Sequence, residues 1–190
     1  MDSIEEFCPK DSAEWRKWLE LNHNRKDSIW LIFYKKKSPN HNLSWSEAVD
    51  QALCYGWIDS VINTIDKETY KQYFTKRKPK SNWSKVNKTK VKDLIDQGLM
   101  KAAGYKSIEV AKKNGSWTIL DDVEALIMPK DLEEALAHYQ GAQFFDELSN
   151  SVKKLLLYWV KSAKREETRR KRILEIAQNA GKNLKPKQFR

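Results

Sequence analysis

The fold of this chain is decided by residues 57–77, which have the sequence WIDSVINTIDKETYKQYFTKR. From Trp57 onward the residues suit a strand with a period of two, in which Trp57 and Asp59 share one face. The polar run at 66–69 predicts a turn, and residues 70–77 predict the returning strand. The stretch therefore predicts an antiparallel β-hairpin, and with it a sheet.

The segments around the hairpin predict a third strand and four helices. Residues 29–34 are a continuous apolar run rich in aromatic and β-branched residues, which is typical of a strand covered on both faces. Ser44 and Glu47 have the spacing of a capping box at the start of a helix. Apolar periodicity and capping residues place helices at 12–22, 44–56, 83–98 and 103–115. We expect an α+β fold with a small antiparallel three-stranded sheet, built from residues 28–37 and 57–77 and covered by helices.

The last third of the chain predicts only helices. After Asp131 the apolar residues follow a helical period, and no strand pattern occurs. Residues 116–130 are typical of a connection between two parts of a protein. We therefore expect an α+β domain in residues 1–120, followed by a helical C-terminal unit with a basic tail in residues 131–190.

Composition and missing motifs exclude several classes of protein. Cys8 and Cys54 form no CxxC pattern, and the three histidines are scattered, so we predict neither a disulfide framework nor a metal site. The common phosphate-loop, metalloprotease and hydrolase signatures are absent. We predict no cofactor and favour binding over catalysis. The longest apolar runs fall far short of the ~20 residues of a membrane span, and the N-terminus lacks the apolar core of a signal peptide, so we expect a cytoplasmic location.

The net charge of +10 is concentrated in two segments. Residues 71–92 contain nine Lys and Arg and no Asp or Glu, and residues 151–190 contain thirteen Lys and Arg and three Asp and Glu. Such segments either attract a polyanion or are simply solvated faces. We expect the two segments to meet on one anion-binding surface. Its candidate residues are Lys76, Arg77, Lys78, Lys80, Lys85, Lys164, Arg165, Arg169, Arg170 and Arg172.

A candidate ligand pocket is predicted where the hairpin ends and the next helix begins. We expect Asp59 to lie opposite residue 76 or 77, so that Asp59 and Arg77 either form an ion pair that fixes the strand register or make the charged corner of a pocket. The helix that follows offers amides and hydroxyls to an anion, although the same side chains are suited to capping. Trp83 is either a core residue or a stacking platform. The candidate pocket residues are Trp57, Asp59, Arg77, Ser81, Trp83, Ser84 and Asn87.

Three phrases of the sequence together resemble a known family. They are AVDQALCYGWIDS at 48–60, FTKRKPKSNWSKVN at 74–87 and SAKREETR at 162–169. In this order, and over nearly the whole chain, they resemble the bacterial YdeI/OmpD-associated family, also called bacteriocin-protection proteins. The resemblance implies a link to porin association and to tolerance of bacteriocins or cationic peptides. It implies no established reaction, cofactor or catalytic residue.

These observations support two main hypotheses about function. The first is a non-enzymatic cytoplasmic binding protein that uses residues 76–92 and 161–190 to hold nucleic acid, an acidic protein surface or anionic lipid headgroups. The alternative is a small-ligand or enzymatic pocket, in which Asp59 is an acid, a base or an orienting carboxylate and Arg77 binds an anionic group. A plainer possibility is an interaction module whose helical C-terminus docks a partner.

Overall fold

The computed structural model describes residues 4–190 and divides the chain into two compact units, of which the first ends at Thr118 and the second begins at Ile119. The first unit contains a four-stranded sheet with the strand order β1-β2-β4-β3. Its strands are β1 (Glu6–Phe7), β2 (Ser28–Tyr34), β3 (Trp57–Thr64) and β4 (Thr69–Lys76). The predicted mixture of helices and strands is confirmed. The predicted number of three strands is wrong, because β1 has only two residues and leaves no periodic pattern in the sequence.

The sheet combines one parallel and two antiparallel pairings. β1 pairs in parallel with β2, whereas β4 lies between β2 and β3 and is antiparallel to both. The residues of β2 alternate between buried and half-buried. The prediction that both faces of this strand are covered was wrong in this respect: Ile29, Leu31 and Phe33 face the core, while the other face is only partly covered.

Four longer helices accompany this sheet: α1 (Ser12–Asn22), α2 (Trp45–Cys54), α3 (Lys85–Asp96) and α4 (Ala102–Lys113). Three of them begin at a side chain that accepts a hydrogen bond from a backbone amide of the first turn: Asp11 for α1, Ser44 for α2 and Ser84 for α3. The backbone amide of Ser44 in turn donates to the carboxylate of Glu47, which completes the predicted capping box.

α4 packs closely against the end of α2 because Gly104 has no side chain. A Cβ added to Gly104 would lie 2.5 Å from the carbonyl oxygen of Cys54 and 2.8 Å from that of Leu53.

The core of this unit is rich in aromatic residues. Trp15, Trp57 and Trp83 are among its largest fully buried side chains. The aromatic residues of the first unit therefore serve mainly to fill its interior.

A β-bulge divides β3 into two parts. Before the bulge Asp59 lies opposite Phe74 of β4, and beyond it Ile62 lies opposite Gln72. The extra residue places Ile62 on the same face of the sheet as Asp59, whereas an uninterrupted period of two had predicted opposite faces. The bulge thus turns an apolar side chain at the end of β3 toward the helix-covered face of the sheet.

The second unit is helical throughout its described length. It consists of α5 (Asp121–Glu124), α6 (Lys130–His138), α7 (Ala142–Glu147), α8 (Asn150–Lys161), α9 (Glu166–Ala180) and a 3-10 turn at Lys187–Phe189. Its own core is formed by apolar side chains of these helices, among them Leu132, Phe145, Val160 and Ile176. The second unit thus has a hydrophobic core of its own.

Candidate functional site

Arg77 lies directly after β4 and is held by two contacts. Its Cζ lies 3.6 Å from the centre of the Trp83 ring, and its Nη2 donates a hydrogen bond to the carbonyl oxygen of Asn82. Its backbone amide donates to the carbonyl oxygen of Gly56, at a distance of 2.9 Å. These contacts fix the guanidinium where the sheet ends, and Trp83, being 2% exposed, forms its inner wall.

The guanidinium of Arg77 is only partly satisfied. Its Nε and Nη1 are buried and have no acceptor among residues 4–190. Burial lowers the pKa of Arg77 from its ordinary value to about 10, and the carboxylate of Asp59 acts in the opposite direction with a smaller effect. A guanidinium with a pKa near 10 is still charged at neutral pH. The molecule therefore holds a buried positive charge with two donors to spare.

Arg77 lines a cleft of about 280 Å³ in the first unit. The cleft lies among the ends of α1, α2 and β4 and the exposed side of α4. Its polar lining includes His23, Tyr55, Lys76, Arg77, Lys106 and Ser107. The described residues that line it include no Asp or Glu.

Tyr55, which also lines this cleft, carries a third unsatisfied donor. Only 4% of Tyr55 is exposed, and its hydroxyl has no hydrogen-bond partner within the described part of the chain. Burial raises the pKa of this hydroxyl, and the nearby Arg16 opposes that effect. The hydroxyl therefore keeps its proton at neutral pH and remains available as a donor.

Asp59 does not lie opposite residue 76 or 77, and this prediction is corrected by the register of the hairpin. Trp57 lies opposite Lys76 and Asp59 opposite Phe74, because the turn is centred nearer to Lys67 than expected and the bulge shifts the pairing further. The Oδ2 of Asp59 instead accepts hydrogen bonds from Trp45 Nε1 at 2.8 Å and from Gln72 Nε2 at 2.5 Å.

The remaining candidate pocket residues have local structural partners. Trp57 is fully buried and its Nε1 donates to the carbonyl oxygen of His23 at 3.4 Å. Ser81 donates from Oγ to the carbonyl oxygen of Lys78 at 2.8 Å. Ser84 caps α3 by accepting from the amide of Asn87 at 3.2 Å. The structure thus brings Arg77 and Trp83 together and places Asp59 with a different set of partners.

The basic candidates of the first unit fall into two groups. Lys76 forms an ion pair with Asp27 at 2.9 Å and also donates to the carbonyl oxygen of Asn24. Lys78, Lys80 and Lys85 are exposed. Lys78 and Lys80 belong to the segment between β4 and α3, and Lys85 is the first residue of α3.

The basic candidates of the second unit are similarly divided. Arg169 makes two hydrogen bonds to the carboxylate of Asp131, at 2.7 and 2.8 Å. Arg172 donates to the carbonyl oxygen of Trp159 and lies over the ring of the same residue. The exposed members of this group are Lys164, Arg165 and Arg170. Arg169 and Arg172 therefore already have partners within the unit.

Sequence reasoning missed three residues of the cleft. Tyr55, Lys106 and His23 were not among the candidate site residues. Tyr55 stands inside the phrase CYGWIDS, but nothing in a periodic pattern reveals that its hydroxyl is buried without a partner. Lys106 comes from a helix far along the chain, so only the fold brings it to Arg77.

The described residues contain neither a helix suited to span a membrane nor a cluster of metal ligands. Over residues 4–190, no helix combines the length and the apolar character that crossing a membrane requires. Within the same residues, no three or more His, Cys, Asp or Glu side chains are grouped so that they hold a metal ion.

Comparisons with known proteins identify two family matches. Residues 7–107 match the model of a domain of unknown function (DUF8412), and residues 125–183 match the model described as bacteriocin-protection, YdeI or OmpD-associated. No curated protein and no solved structure matches the chain.

The predicted resemblance to the YdeI/OmpD-associated family is confirmed, but its match is confined to residues 125–183. Of the three phrases that carried the resemblance, SAKREETR at 162–169 lies in this match. The other two phrases lie within residues 7–107. The first match covers more than half of the 190 residues, so the chain belongs to the DUF8412 family, and its residues 125–183 match the YdeI/OmpD-associated family.

Proposed function

We propose that the first unit is a binding module for a small anion, and that the cleft at Arg77 is its site. The observation that carries the proposal is the guanidinium of Arg77, which is buried with two donors unused. Buried polar groups in native proteins almost always have partners, so an unsatisfied pair of donors beside a cleft indicates a ligand that accepts hydrogen bonds.

The surroundings of Arg77 favour an anion over a neutral acceptor. Lys76 and Lys106 line the same cleft, and the described lining contains no carboxylate. Lys76 is partly neutralised by Asp27, whereas Lys106 is exposed on α4. Charge-assisted hydrogen bonds to a guanidinium are stronger than neutral ones and favour carboxylate and phosphate groups.

The size of the cleft limits the ligand. At about 280 Å³ it is near the lower end of the range for small-molecule sites, which is roughly 300–1,000 Å³. Inorganic phosphate or a small phosphate monoester fits this volume, with Tyr55 and Arg77 as donors from the inner wall and Lys106 as a charge at the mouth. The proposed function is binding, and no bond is made or broken in it.

The test is a titration of the full chain with inorganic phosphate at low salt, followed by calorimetry. Lys106→Met removes a lining charge from the exposed side of α4, and Lys113→Met removes an exposed charge from the same helix outside the cleft. We expect Lys106→Met to weaken phosphate binding by about tenfold, which corresponds to one charge-assisted contact, and Lys113→Met to weaken it by less than about twofold. Equal effects of the two variants would exclude the cleft as the site.

A second candidate function is the binding of a polyanion by the segment 76–92. It is favoured by the exposure of Lys78, Lys80 and Lys85 in the loop and first turn that follow β4. If this surface binds nucleic acid, changing these three residues to Met makes the dependence of the binding constant on salt shallower. The negative slope of log K against the logarithm of the salt concentration decreases in magnitude by about three. That residues 161–190 join the same surface stays a prediction.

The description of the second family match suggests a function for residues 125–183. We propose that residues 125–183 contribute to bacteriocin protection or porin association, as the family description suggests. Cells that lack this chain should then be more sensitive to bacteriocins, and a chain truncated after Thr118 should fail to restore tolerance. Fractionation of the same cells tests the proposed cytoplasmic location.

A further inference from the structure

A second site, independent of the anion cleft, is indicated by a groove at the far end of the hairpin. The groove has a volume of about 390 Å³ and is lined by Lys35, Trp45, Ile62, Thr64, Tyr70 and Gln72. Trp45 is 41% exposed and Ile62 is 58% exposed. The bulge in β3 creates this arrangement, because it turns Ile62 toward the same face as Tyr70 and Gln72.

Gln72, which lines the groove, carries a buried acceptor without a donor. Gln72 is 1% exposed and lies between Leu31 of β2 and Ile62 of β3. Its Nε2 donates to the carboxylate of Asp59, and this contact fixes which end of the amide is nitrogen. Its Oε1 therefore points elsewhere, and it accepts no hydrogen bond from residues 4–190. A buried amide oxygen of this kind is costly unless a donor reaches it.

The carboxylate of Asp59 makes that oxygen a better acceptor. Its Oδ2 accepts from both Gln72 Nε2 and Trp45 Nε1, and no described residue donates to its Oδ1. A negative charge on the nitrogen side of an amide polarises the carbonyl oxygen, since hydrogen bonds in a chain strengthen one another. The site thus presents negative potential between two aromatic side chains, Trp45 and Tyr70.

Lys35 is a positively charged residue of the groove lining, and its ammonium is engaged by the hairpin turn. Its Nζ donates to the carbonyl oxygens of Asp66 and Lys67 in the hairpin turn, at 3.2 and 3.0 Å. The ammonium of Lys35 is thereby held at the turn, on the rim of the groove. The floor, formed by Gln72, still requires a donor.

From these contacts we infer that the groove between Trp45, Ile62, Tyr70 and Gln72 binds a protonated amine with an aromatic or alkyl body. The ammonium donates to Gln72 Oε1 and is attracted by the Asp59 carboxylate. The body packs on Ile62 and on the rings of Trp45 and Tyr70, where a cation near an aromatic face is further favoured. An anionic ligand finds neither a donor on this floor nor a favourable potential.

The test uses 2-phenylethylammonium as the probe, with phenylacetate as an anion of similar size. The full chain, labelled with ¹⁵N, is titrated with each compound, and the Trp45 indole N–H and the Gln72 side-chain amide are followed by NMR. We expect the ammonium compound to shift both signals and to bind with a Kd on the order of 1 mM, and phenylacetate to bind at least about tenfold more weakly.

Matched variants locate the site. Ile62→Ala and Ile65→Ala remove the same atoms from exposed positions of one hairpin, but only Ile62 lines the groove. We expect Ile62→Ala to weaken binding about three- to tenfold and Ile65→Ala to leave it unchanged. Gln72→Met removes the acceptor at similar volume, and we expect at least a tenfold loss.

The titrations and the variants can either support or overturn the proposed amine site. The proposal is overturned if neither signal responds at about 20 mM ammonium compound, if phenylacetate binds equally well, or if the two Ile variants behave alike. It is supported if the amine binds selectively and only the groove variants weaken it. The phosphate titration of Lys106→Met is unaffected by any of these results, because the two sites share no residue.

Discussion

Arg77 is stacked on Trp83, with its Cζ 3.6 Å from the ring centre. The contact holds the guanidinium close against a buried indole, which restricts the directions in which the remaining N–H groups point. It also excludes water from one side of the charge, which agrees with the pKa of Arg77 being lowered to about 10 by burial. One pair of residues therefore accounts for both the orientation and the poor solvation of the cation.

Replacement of Arg77 by Met separates stability from binding. Because the buried guanidinium has no acidic partner in contact and two unused donors, we expect its loss to change the free energy of unfolding by less than about 1 kcal/mol. Phosphate binding should be abolished by the same change. Trp83→Ala serves as the contrast and should cost about 3–5 kcal/mol, since it removes a fully packed aromatic side chain. Urea unfolding measures both variants, and a loss of several kcal/mol for Arg77→Met would contradict the description of this cation.

A methyl group at position 104 should disrupt the contact between α4 and α2. The added Cβ of Gly104→Ala meets the carbonyl oxygen of Cys54 at 2.5 Å, so the gain in helix propensity of about 1 kcal/mol should be outweighed by a clash of about 2–4 kcal/mol. Gly98→Ala is the control: its Cβ meets nothing within 4 Å, and it should lose only the roughly 1–2 kcal/mol of a left-handed backbone. Urea unfolding that shows Gly104→Ala to be neutral or stabilising would contradict the packing.

The capping box of α2 should give the stability of the first unit an acid dependence. Hydrogen bonds from the backbone and hydroxyl of Ser44 lower the pKa of Glu47 below its ordinary 4.5. A lowered pKa means that ionised Glu47 stabilises the fold above pH 4.5, and that this contribution disappears as the pH falls through the folded value. Glu47→Gln should therefore be less stable than the parent chain at pH 7, by up to about 1 kcal/mol for this exposed side chain.

The comparison is made by urea unfolding at pH 7 and pH 3. The difference between the parent chain and Glu47→Gln should shrink as the pH is lowered from 7 to 3, because acidification protonates the Glu47 carboxylate and removes the charge that Gln lacks. A difference that grows on acidification would have the wrong sign for a stabilising carboxylate.

In the second unit, the pair of Asp131 and Arg169 should couple measurably. Its two hydrogen bonds, at 2.7 and 2.8 Å, join the start of α6 to α9. A double-mutant cycle with Asp131→Asn and Arg169→Met should give about 0.5–1 kcal/mol, the upper part of the range for surface pairs. Lys130 and Glu134, 3.9 Å apart and largely exposed, provide a control pair that should show a coupling near zero, about 0.2 kcal/mol or less.

The sequence predicted those elements whose signal is local. The spacing of Ser44 and Glu47 predicted the capping box, and Asp11 with the apolar spacing predicted the bounds of α1. The hairpin was predicted from the alternation of its strands and from the polar residues of its turn. The two-residue β1 was missed because parallel pairing with β2 depends on a contact between distant segments. Asp59 was placed wrongly because a bulge is set by packing, and its extra residue changes both the register and the face of every residue beyond it.

The same difference applies to the candidate sites. Arg77 and Trp83 were both singled out from one continuous phrase, and the structure stacks them. Tyr55 and Lys106 are separated by about half of the first unit, and their meeting at the cleft depends on how α4 packs. Gln72 was not singled out at all, because a single polar residue in a strand does not show whether both ends of its amide are satisfied.

The bulge in β3 also affects the exposed edge of the sheet. β3 is an edge strand of the sheet, and Val61 and Ile62 are both more than half exposed. A regular edge of this composition is a template on which another extended chain adds, as in amyloid growth. The irregular spacing between Asp59 and Ile62 interrupts the row of edge amides and carbonyls, so an incoming strand cannot continue its pairing past this point. The feature that shapes the groove thus acts as a built-in guard against fibrillar stacking.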